Sequence, residues 1–169
     1  MEIPAEKIIE SLQEIPLFKN LQKEALPGIW GDGKLFTVEK GKTIFFQEDP
    51  AEKFYVLLKG RIKLSKLTVG GNIVTMHYSG PGEAIGVIAV LREIDYPVSA
   101  ETVEDCELIS WDRITMRNWL QAEPQIAINS IRILSNFINI FQDRITELST
   151  ERVGRRIART LLRLAKQTG

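Results

Sequence analysis

Between Lys34 and Trp111 the chain is a succession of short alternating segments separated by turn residues, and this pattern restricts the fold more than any other feature. Apolar and polar residues alternate within the segments, as expected for strands with one buried face. The turn residues stand at Lys40-Gly41-Lys42, Glu48–Ala51, Lys59-Gly60 and Val69–Asn72. In the last turn, Gly70-Gly71 predicts a hairpin, because two glycines allow positive φ at both central positions. Six or more short strands at this spacing predict a β-sandwich or barrel.

Helical periodicity is present on both sides of the predicted strands. On the N-terminal side, apolar residues at helical spacing predict a short amphipathic helix before Pro16, and the apolar face continues as far as Pro27-Gly28. The residues that set this first spacing are Ile8, Ile9, Leu12 and Ile15. On the C-terminal side, Asp112 is a good N-cap for a helix over residues 113–121. Glu123-Pro124 predicts the start of a long helix, because proline fits the first turn.

Apolar residues of the long helix recur with 3-4-3-4-3 spacing, the heptad pattern of a coiled coil. The seam consists of Ile131, Leu134, Ile138, Phe141, Ile145 and Leu148. A second apolar face carries Ile133, Phe137 and Ile140. A helix with two apolar faces must bury both, one against the strands and the other against a partner helix. A single broad core face is the alternative, since the seam is shorter than three heptads.

Charge and cysteine content limit the partners and the compartment. Net charge is 0, but residues 151–169 contain six basic residues and one acid, so that segment carries +5 and residues 1–150 carry −5. A basic end of this kind favours nucleic acid as a partner. The single cysteine, Cys106, excludes an internal disulfide and an iron–sulfur cluster, and it indicates a cytoplasmic protein. No apolar run reaches about 18 residues, so no membrane span is expected.

Residues 79–111 carry the most specific signal. Pro81-Gly82-Glu83 is a turn before a short apolar segment that begins after Gly86, and Ser99-Ala100 lies in a returning strand. Upstream stand Phe-Phe-Gln-Glu-Asp and Phe-Tyr-Val-Leu-Leu-Lys-Gly-Arg-Ile-Lys-Leu. In this order the motifs resemble the effector domain of the Crp/Fnr superfamily of transcriptional regulators. The resemblance implies an α+β chain: a double-stranded β-helix (jelly-roll) sensor domain with short N-terminal helices and a long C-terminal dimerisation helix.

The resemblance also implies four parts along the chain. They are an N-terminal helical segment (1–30), a β-roll effector domain that resembles cyclic-nucleotide-binding domains (31–121), a dimerisation helix (122–149), and a hinge with the first helix of a winged helix-turn-helix domain (150–169). The hinge is expected at Ser149-Thr150, and the remainder of the DNA-binding domain is expected beyond Gly169. Implied partners are a second copy of the chain, through the seam, and promoter DNA. No catalytic role and no membrane contact are expected.

Residues 79–111 are called the cassette below. The implied effector pocket lies between this cassette and one face of the long helix. Its predicted residues are Gly82, Glu83, Gly86, Val87, Ile88, Val98, Ser99, Ile133 and Phe137. Members that bind cyclic nucleotides place a Glu after the glycine that opens the short helix and an Arg before a Ser in the returning strand. The corresponding places here hold Val87 and Pro97. Arg92 is the single Lys or Arg between Gly82 and Asp112, so a cyclic phosphate lacks a cationic partner and cAMP is not the expected effector.

An apolar pocket leaves several effectors open. The superfamily contains haem-dependent gas sensors, so we expect haem-mediated sensing of nitric oxide or another redox gas, in a nitrosative-stress or anaerobic response, slightly ahead of an uncharged organic effector. His77 is the candidate haem ligand, because neutral imidazole is a common axial ligand. Strand alternation places it on the face of Ile73 and Thr75, where an ordinary strand histidine is the commoner interpretation. Acids flank Cys106 and disfavour its reactive thiolate.

Two other interpretations stay open. One is a regulator without an effector, in which side chains of the protein fill the pocket. The other is a jelly-roll metalloenzyme of the cupin type, which is disfavoured because such enzymes need two or three histidines and this chain has one. No metal site is predicted.

Overall fold

The structure is a computed structural model that describes residues 12–150, 160–162 and 165, with the side chains of 144 and 147–150 excepted. The chain divides into two compact units, Met1–Ser130 and Ile131–Gly169. Within the described ranges, no helix is both long and apolar enough to cross a bilayer.

Two short helical segments precede the strands. Residues 12–14 are helical, and a 3-10 turn follows at Pro16–Phe18. Helix α1 spans Leu26–Gly31. Pro27-Gly28, where the sequence predicts the apolar helical face to stop, lies inside α1, because the first turn of a helix tolerates a residue without an N–H. The predicted helix residues Ile8 and Ile9 lie outside the described residues.

Two four-stranded antiparallel sheets form a sandwich in the described part of the chain. The strands are β1 (Lys34–Val38), β2 (Thr43–Phe45), β3 (Lys53–Lys59), β4 (Ile62–Leu67), β5 (Ile73–Ser79), β6 (Ala84–Ile85), β7 (Ser99–Thr102) and β8 (Cys106–Asp112). One sheet has the order β1-β8-β3-β6 and the other has β2-β7-β4-β5. Successive strands therefore alternate between the two sheets except at the β4–β5 hairpin, and the jelly-roll prediction is confirmed.

The predicted hairpin between β4 and β5 is confirmed. Of the two central glycines, Gly71 alone has positive φ, at 78°. The loop is longer than a two-residue turn: the Thr68 amide donates to the Asn72 carbonyl, and the Thr68 hydroxyl also donates to it. A threonine side chain can close a loop in this way, so Gly70 needs no left-handed conformation.

One aromatic cluster joins the N-terminal segment to the strands. Phe18, Phe54 and Trp119 each contact Trp111, with ring centroids 5.3–5.6 Å apart. The Trp111 indole N–H donates to the carbonyl of Ile29 in α1 at 2.7 Å. Because the buried N–H is paired, the cluster keeps its apolar contacts without leaving an unsatisfied donor.

Three further helices follow the predicted pattern. They are α2 (Val87–Arg92), α3 (Arg113–Ala122) and α4 (Pro124–Thr150). Asp112 caps α3 as predicted, since its carboxylate accepts the Thr115 amide at 2.7 Å. That hydrogen bond lowers the pKa of Asp112. Helix α4 begins at Pro124 as predicted and includes Ser149-Thr150, the position of the predicted hinge. The residues that directly follow Thr150 lie outside the described residues.

Candidate effector-binding site

The turn that leads into the short helix is attached to β3. Gly82 has φ +85°, and its amide donates to the Leu57 carbonyl at 2.7 Å. The Leu57 amide in turn donates to the carbonyl of Glu83 at 3.0 Å. Two main-chain hydrogen bonds therefore fix the backbone of the turn while leaving the Glu83 side chain half-buried.

Helix α2 starts at a glycine that has no room for a side chain. Gly86 occupies the N-cap position with φ +78°. A Cβ atom there would lie 3.1 Å from the Tyr96 ring and 3.2 Å from the carbonyl oxygen of Lys53. The left-handed backbone and the close approach both require glycine at this position.

The inner face of the second sheet carries a row that includes His77. Leu64 on β4 pairs with Ala100 on β7 and with His77 on β5. Residues directly opposite each other project to the same face of a sheet, and Ala100 is fully buried. His77 therefore lies on the inner face of the sandwich.

The predicted face of His77 is wrong, because β5 contains a bulge. His77 pairs with Leu64, but the next residue on β4, Ser65, pairs with Thr75, so Met76 is an extra residue. An extra residue interrupts the period-two alternation. Accordingly, Ile73 and Thr75 are exposed whereas the His77 side chain is only 15% exposed.

His77 and Glu83 meet at the rim of the sandwich. His77 Nε2 lies 2.8 Å from Glu83 Oε2. Strand β5 ends the order of one sheet, and β6, which follows Glu83 directly, ends the order of the other. The contact therefore joins β5 of one sheet to the residue just before β6 of the other, and β5 and β6 share no main-chain pairing. The sequence identified both residues as site candidates but did not predict their contact.

The other predicted pocket residues of residues 82–99 are similar in exposure. Gly82, Glu83, Gly86, Ile88, Val98 and Ser99 are all half-buried, and Val87 is buried. The Ser99 hydroxyl oxygen accepts a hydrogen bond from the main-chain N–H of Gln47 at 2.9 Å. Ile133 and Phe137 belong to the second unit of the chain, so their assignment to the pocket stays a prediction.

An aromatic group beside Gly86 was not predicted from the sequence. The Tyr96 ring stacks on Phe45 with centroids 3.8 Å apart, and the Tyr55 ring also stacks on Phe45, with centroids 5.8 Å apart. The Tyr96 hydroxyl donates to the Lys53 carbonyl. Burial raises the pKa of both tyrosines above the ordinary value. The available signal was the position of Tyr96 directly before Pro97, inside the cassette.

Groups suited to a phosphate are absent from the start of α2 in the described structure. Arg92 is exposed and lies in the last turn of α2. Val87, in the first turn, is buried. Pro97 is exposed and lines an open groove of about 760 Å³ together with Tyr96, Ile94 and the base of the β4–β5 hairpin. The first turn of α2 in the described structure therefore offers a phosphate no cationic side chain.

Neither cysteine chemistry nor metal binding is favoured within the described residues. Cys106 is buried, and burial, followed by the nearby carboxylates of Glu104 and Asp105, raises the pKa of its thiol. A raised pKa reduces the thiolate fraction that redox sensing needs. No cluster of three His, Cys, Asp or Glu side chains suited to a metal ion occurs in that part of the chain.

Helix α4 exposes most of its predicted seam. The exposed seam residues are Ile131, Leu134, Ile138, Phe141 and Ile145, with exposed fractions between 41% and 64%. The side chain of Leu148 lies outside the described residues. Large apolar side chains at heptad spacing on one exposed face are typical of a helix that pairs with another helix.

Comparisons with known proteins agree with this architecture. The family described as "Cyclic nucleotide-binding domain" matches residues 35–123. The Cyclic AMP receptor protein of Thermus thermophilus is 30% identical over 152 residues, covering 90% of this chain and 70% of the relative. The Global nitrogen regulator of Nostoc sp. is 30% identical over 155 residues, covering 90% and 67%. The crystal structure of Thermus thermophilus Catabolite Activator Protein aligns with a TM-score of 0.71 and 28% identity, covering 79% of this chain and 63% of that one. The chain thus spans roughly two thirds of the length of the proteins it matches.

Proposed function

Because this chain belongs to the cyclic nucleotide-binding domain family and, within it, to the Crp/Fnr regulators, we propose that it is the effector-sensing and dimerisation part of a transcriptional regulator. One observation carries the proposal: the predicted residues on both sides of α2 are buried or half-buried, and His77, on the inner face of the second sheet, contacts Glu83 at 2.8 Å. A pocket of this kind binds a small molecule and does not itself require a catalytic group. An enzymatic role is accordingly not proposed.

The effector of this module is a molecule other than cAMP. Support comes from the start of α2, where Val87 is buried and the Tyr96 ring lies against Gly86. Arg92, the one cation of the cassette, is at the opposite end of the helix. A cyclic phosphate would lose its hydration there without gaining charge-assisted hydrogen bonds. The curated relatives include a regulator named for cyclic AMP and one named for nitrogen, so the scaffold is compatible with different signals.

Calorimetric titration of cAMP into the purified chain tests this proposal. We expect no saturable heat at micromolar nucleotide. Micromolar affinity would show that the pocket supplies phosphate contacts from residues outside the cassette, and the effector assignment would then be wrong.

The module is proposed to form a homodimer through the α4 seam. Phe141→Glu would place a carboxylate in the apolar interface, where burial of an unpaired charge opposes association by several kcal/mol. Sedimentation should then give a dimer for the parent chain and a monomer for the variant. Gln142→Glu adds the same charge at the adjacent exposed position outside the seam and should remain dimeric. A parent chain that sediments as a monomer at micromolar concentration would refute the dimer.

Promoter DNA is proposed as the partner of the whole regulator. The support is the +5 charge of residues 151–169, which suits phosphate contacts but does not supply base readout. The 169 residues alone should therefore bind DNA weakly and without sequence preference. Tight, sequence-selective binding in an electrophoretic mobility assay would contradict this division of roles.

Haem is a second candidate effector, favoured by the inward position of the only imidazole in an otherwise apolar row. Ligation through His77 Nε2 would require Glu83 to leave that nitrogen. Titration of haem into the apo-protein should then give a sharp Soret band at one haem per subunit that His77→Ala abolishes. Weak uptake of more than one haem per subunit would refute haem as the effector and, with it, the gas-sensing role. An uncharged organic molecule would then be the proposed effector.

A further inference from the structure

Glu83 is held in a way that leaves its carboxylate available to a ligand. The backbone of the turn is fixed to Leu57 by two hydrogen bonds. The side chain, 44% exposed, reaches from that turn to His77. A carboxylate has about four lone-pair sites, so one contact with an imidazole nitrogen leaves acceptor capacity for another donor.

His77 orients this carboxylate from the opposite sheet. It sits in the inward row beside Leu64, and its side chain is largely buried. Its Nε2 atom contacts Oε2 of Glu83. An imidazole held in a strand restricts the rotamers of the carboxylate it contacts, and a preorganised acceptor binds a donor at a lower entropic cost.

Other charges near the cassette do not favour an anion. Lys63 lies one residue from the inward row, and it pairs at 2.8 Å with Glu101, its cross-strand neighbour on the outer face. Arg92 is exposed at the far end of α2. A negatively charged ligand would meet Glu83 first, and like charges repel at close range.

We propose that Glu83 is the recognition carboxylate of the effector pocket, positioned by His77, and that the effector presents an N–H or O–H donor to it beside an apolar body. The assignment rests on the proposed sensor function and names the ligand class. Walls of Val87, Ile88 and Val98 would contact the apolar body. An ammonium or a hydroxyl satisfies the requirement, whereas a carboxylate or phosphate does not.

Three probes with the same ring separate these chemistries: benzylamine, benzyl alcohol and benzoate. Since His77 is the only histidine, isotope-labelled histidine gives one imidazole signal set, which reports directly on the contact with Glu83. We expect benzylamine and benzyl alcohol to shift these signals saturably and benzoate to leave them unchanged. Glu83→Gln should weaken benzylamine binding about tenfold, because a charge-assisted hydrogen bond is lost.

Glu101→Gln is the matched control, since it removes a carboxylate from the outer face of the sheet that carries His77 and should leave benzylamine affinity unchanged. Equal unfolding midpoints for both variants exclude a folding defect as the cause. A response of His77 to benzoate, no response to the two donors, or an unaltered affinity in Glu83→Gln would each overturn the proposal. The methyl signals of Ile88 and Val98 distinguish a failure of the Glu83 assignment from a failure of the proposed sensor pocket. Probes that shift those methyls but not His77 leave the sensor pocket standing and remove Glu83 as its recognition group. Probes that shift neither count against the pocket itself.

Discussion

The two left-handed glycines of the cassette provide a matched pair of substitutions. Gly82 and Gly86 have nearly the same φ, +85° and +78°. Alanine at either position has to adopt the left-handed region, which costs about 1 kcal/mol. A Cβ at Gly82 would meet no atom within 4 Å, whereas at Gly86 it would meet Tyr96 and the Lys53 carbonyl at 3.1 and 3.2 Å.

The Gly86 contacts are difficult to relieve. The Tyr96 ring stacks on Phe45 and its hydroxyl is bonded to the carbonyl of Lys53, so neither neighbour of the new methyl can move alone. Inserting a methyl group into such a site costs about 1–3 kcal/mol in addition to the cost of the left-handed backbone conformation. We therefore expect Gly82→Ala to lower the free energy of unfolding by about 1 kcal/mol and Gly86→Ala by about 2–4 kcal/mol.

Urea unfolding followed by tryptophan fluorescence measures the difference. Parent and variants are compared at one protein concentration, because dimerisation would make stability concentration-dependent. The slope against urea should stay constant while the midpoint shifts, as expected for a change in stability alone. If the two variants unfold at the same midpoint, the Tyr96–Gly86 contact does not constrain the start of α2 and the reasoning is refuted.

Three further predictions concern hydrogen bonds and buried hydroxyls. Asp112→Ala removes the cap of α3 and should cost about 1 kcal/mol in urea unfolding; an unchanged midpoint would contradict the capping role. Asn129→Ala leaves two main-chain carbonyls of the N-terminal segment without their donor and should cost about 2 kcal/mol, while a cost near zero would mean that water replaces the amide. Burial raises the pKa of Tyr55 and Tyr96 above 10.0, the ordinary tyrosine pKa. As the pH rises past 10.0, these two tyrosines lose their protons more readily in the unfolded chain than in the folded one. The free energy of unfolding should therefore fall with pH. Tyr96→Phe should make that fall shallower, and equal slopes would contradict the assigned burial effect.

Much of the fold could be predicted because its signals are local. The cap at Asp112 and the start of α4 at Pro124 follow from what one residue type does to a helix end. The alternating segments predicted the strands for the same reason. The jelly-roll fold was predicted from the resemblance, and the sheet order was not predicted, because pairings such as Lys34 with Ser110 join residues that are far apart in sequence.

The contacts of the site could not be predicted, since each depends on tertiary packing. The bulge at Met76 arises from pairing between β4 and β5, and it moved His77 to the inner face against the alternation of its own strand. Phe45 and Tyr96 are distant in sequence and meet only when β2 and the loop before β7 pack together. Neither effect leaves a periodic signal.

The cassette separates the residues that shape the backbone from those that select a ligand. Gly82 and Gly86 need left-handed backbone, which a side chain would strain, so replacing them lowers the stability of the fold whatever the ligand is. By contrast, the side chains at Glu83, Val87 and Pro97 can change without breaking the two hydrogen bonds that attach the turn to β3, because the turn contributes only main-chain atoms to those bonds. A chain can therefore keep the glycines that shape the family's fold while the neighbouring side chains select a different ligand. For this chain, the glycines support the sensor fold, and the side-chain positions argue for an effector that lacks a phosphate.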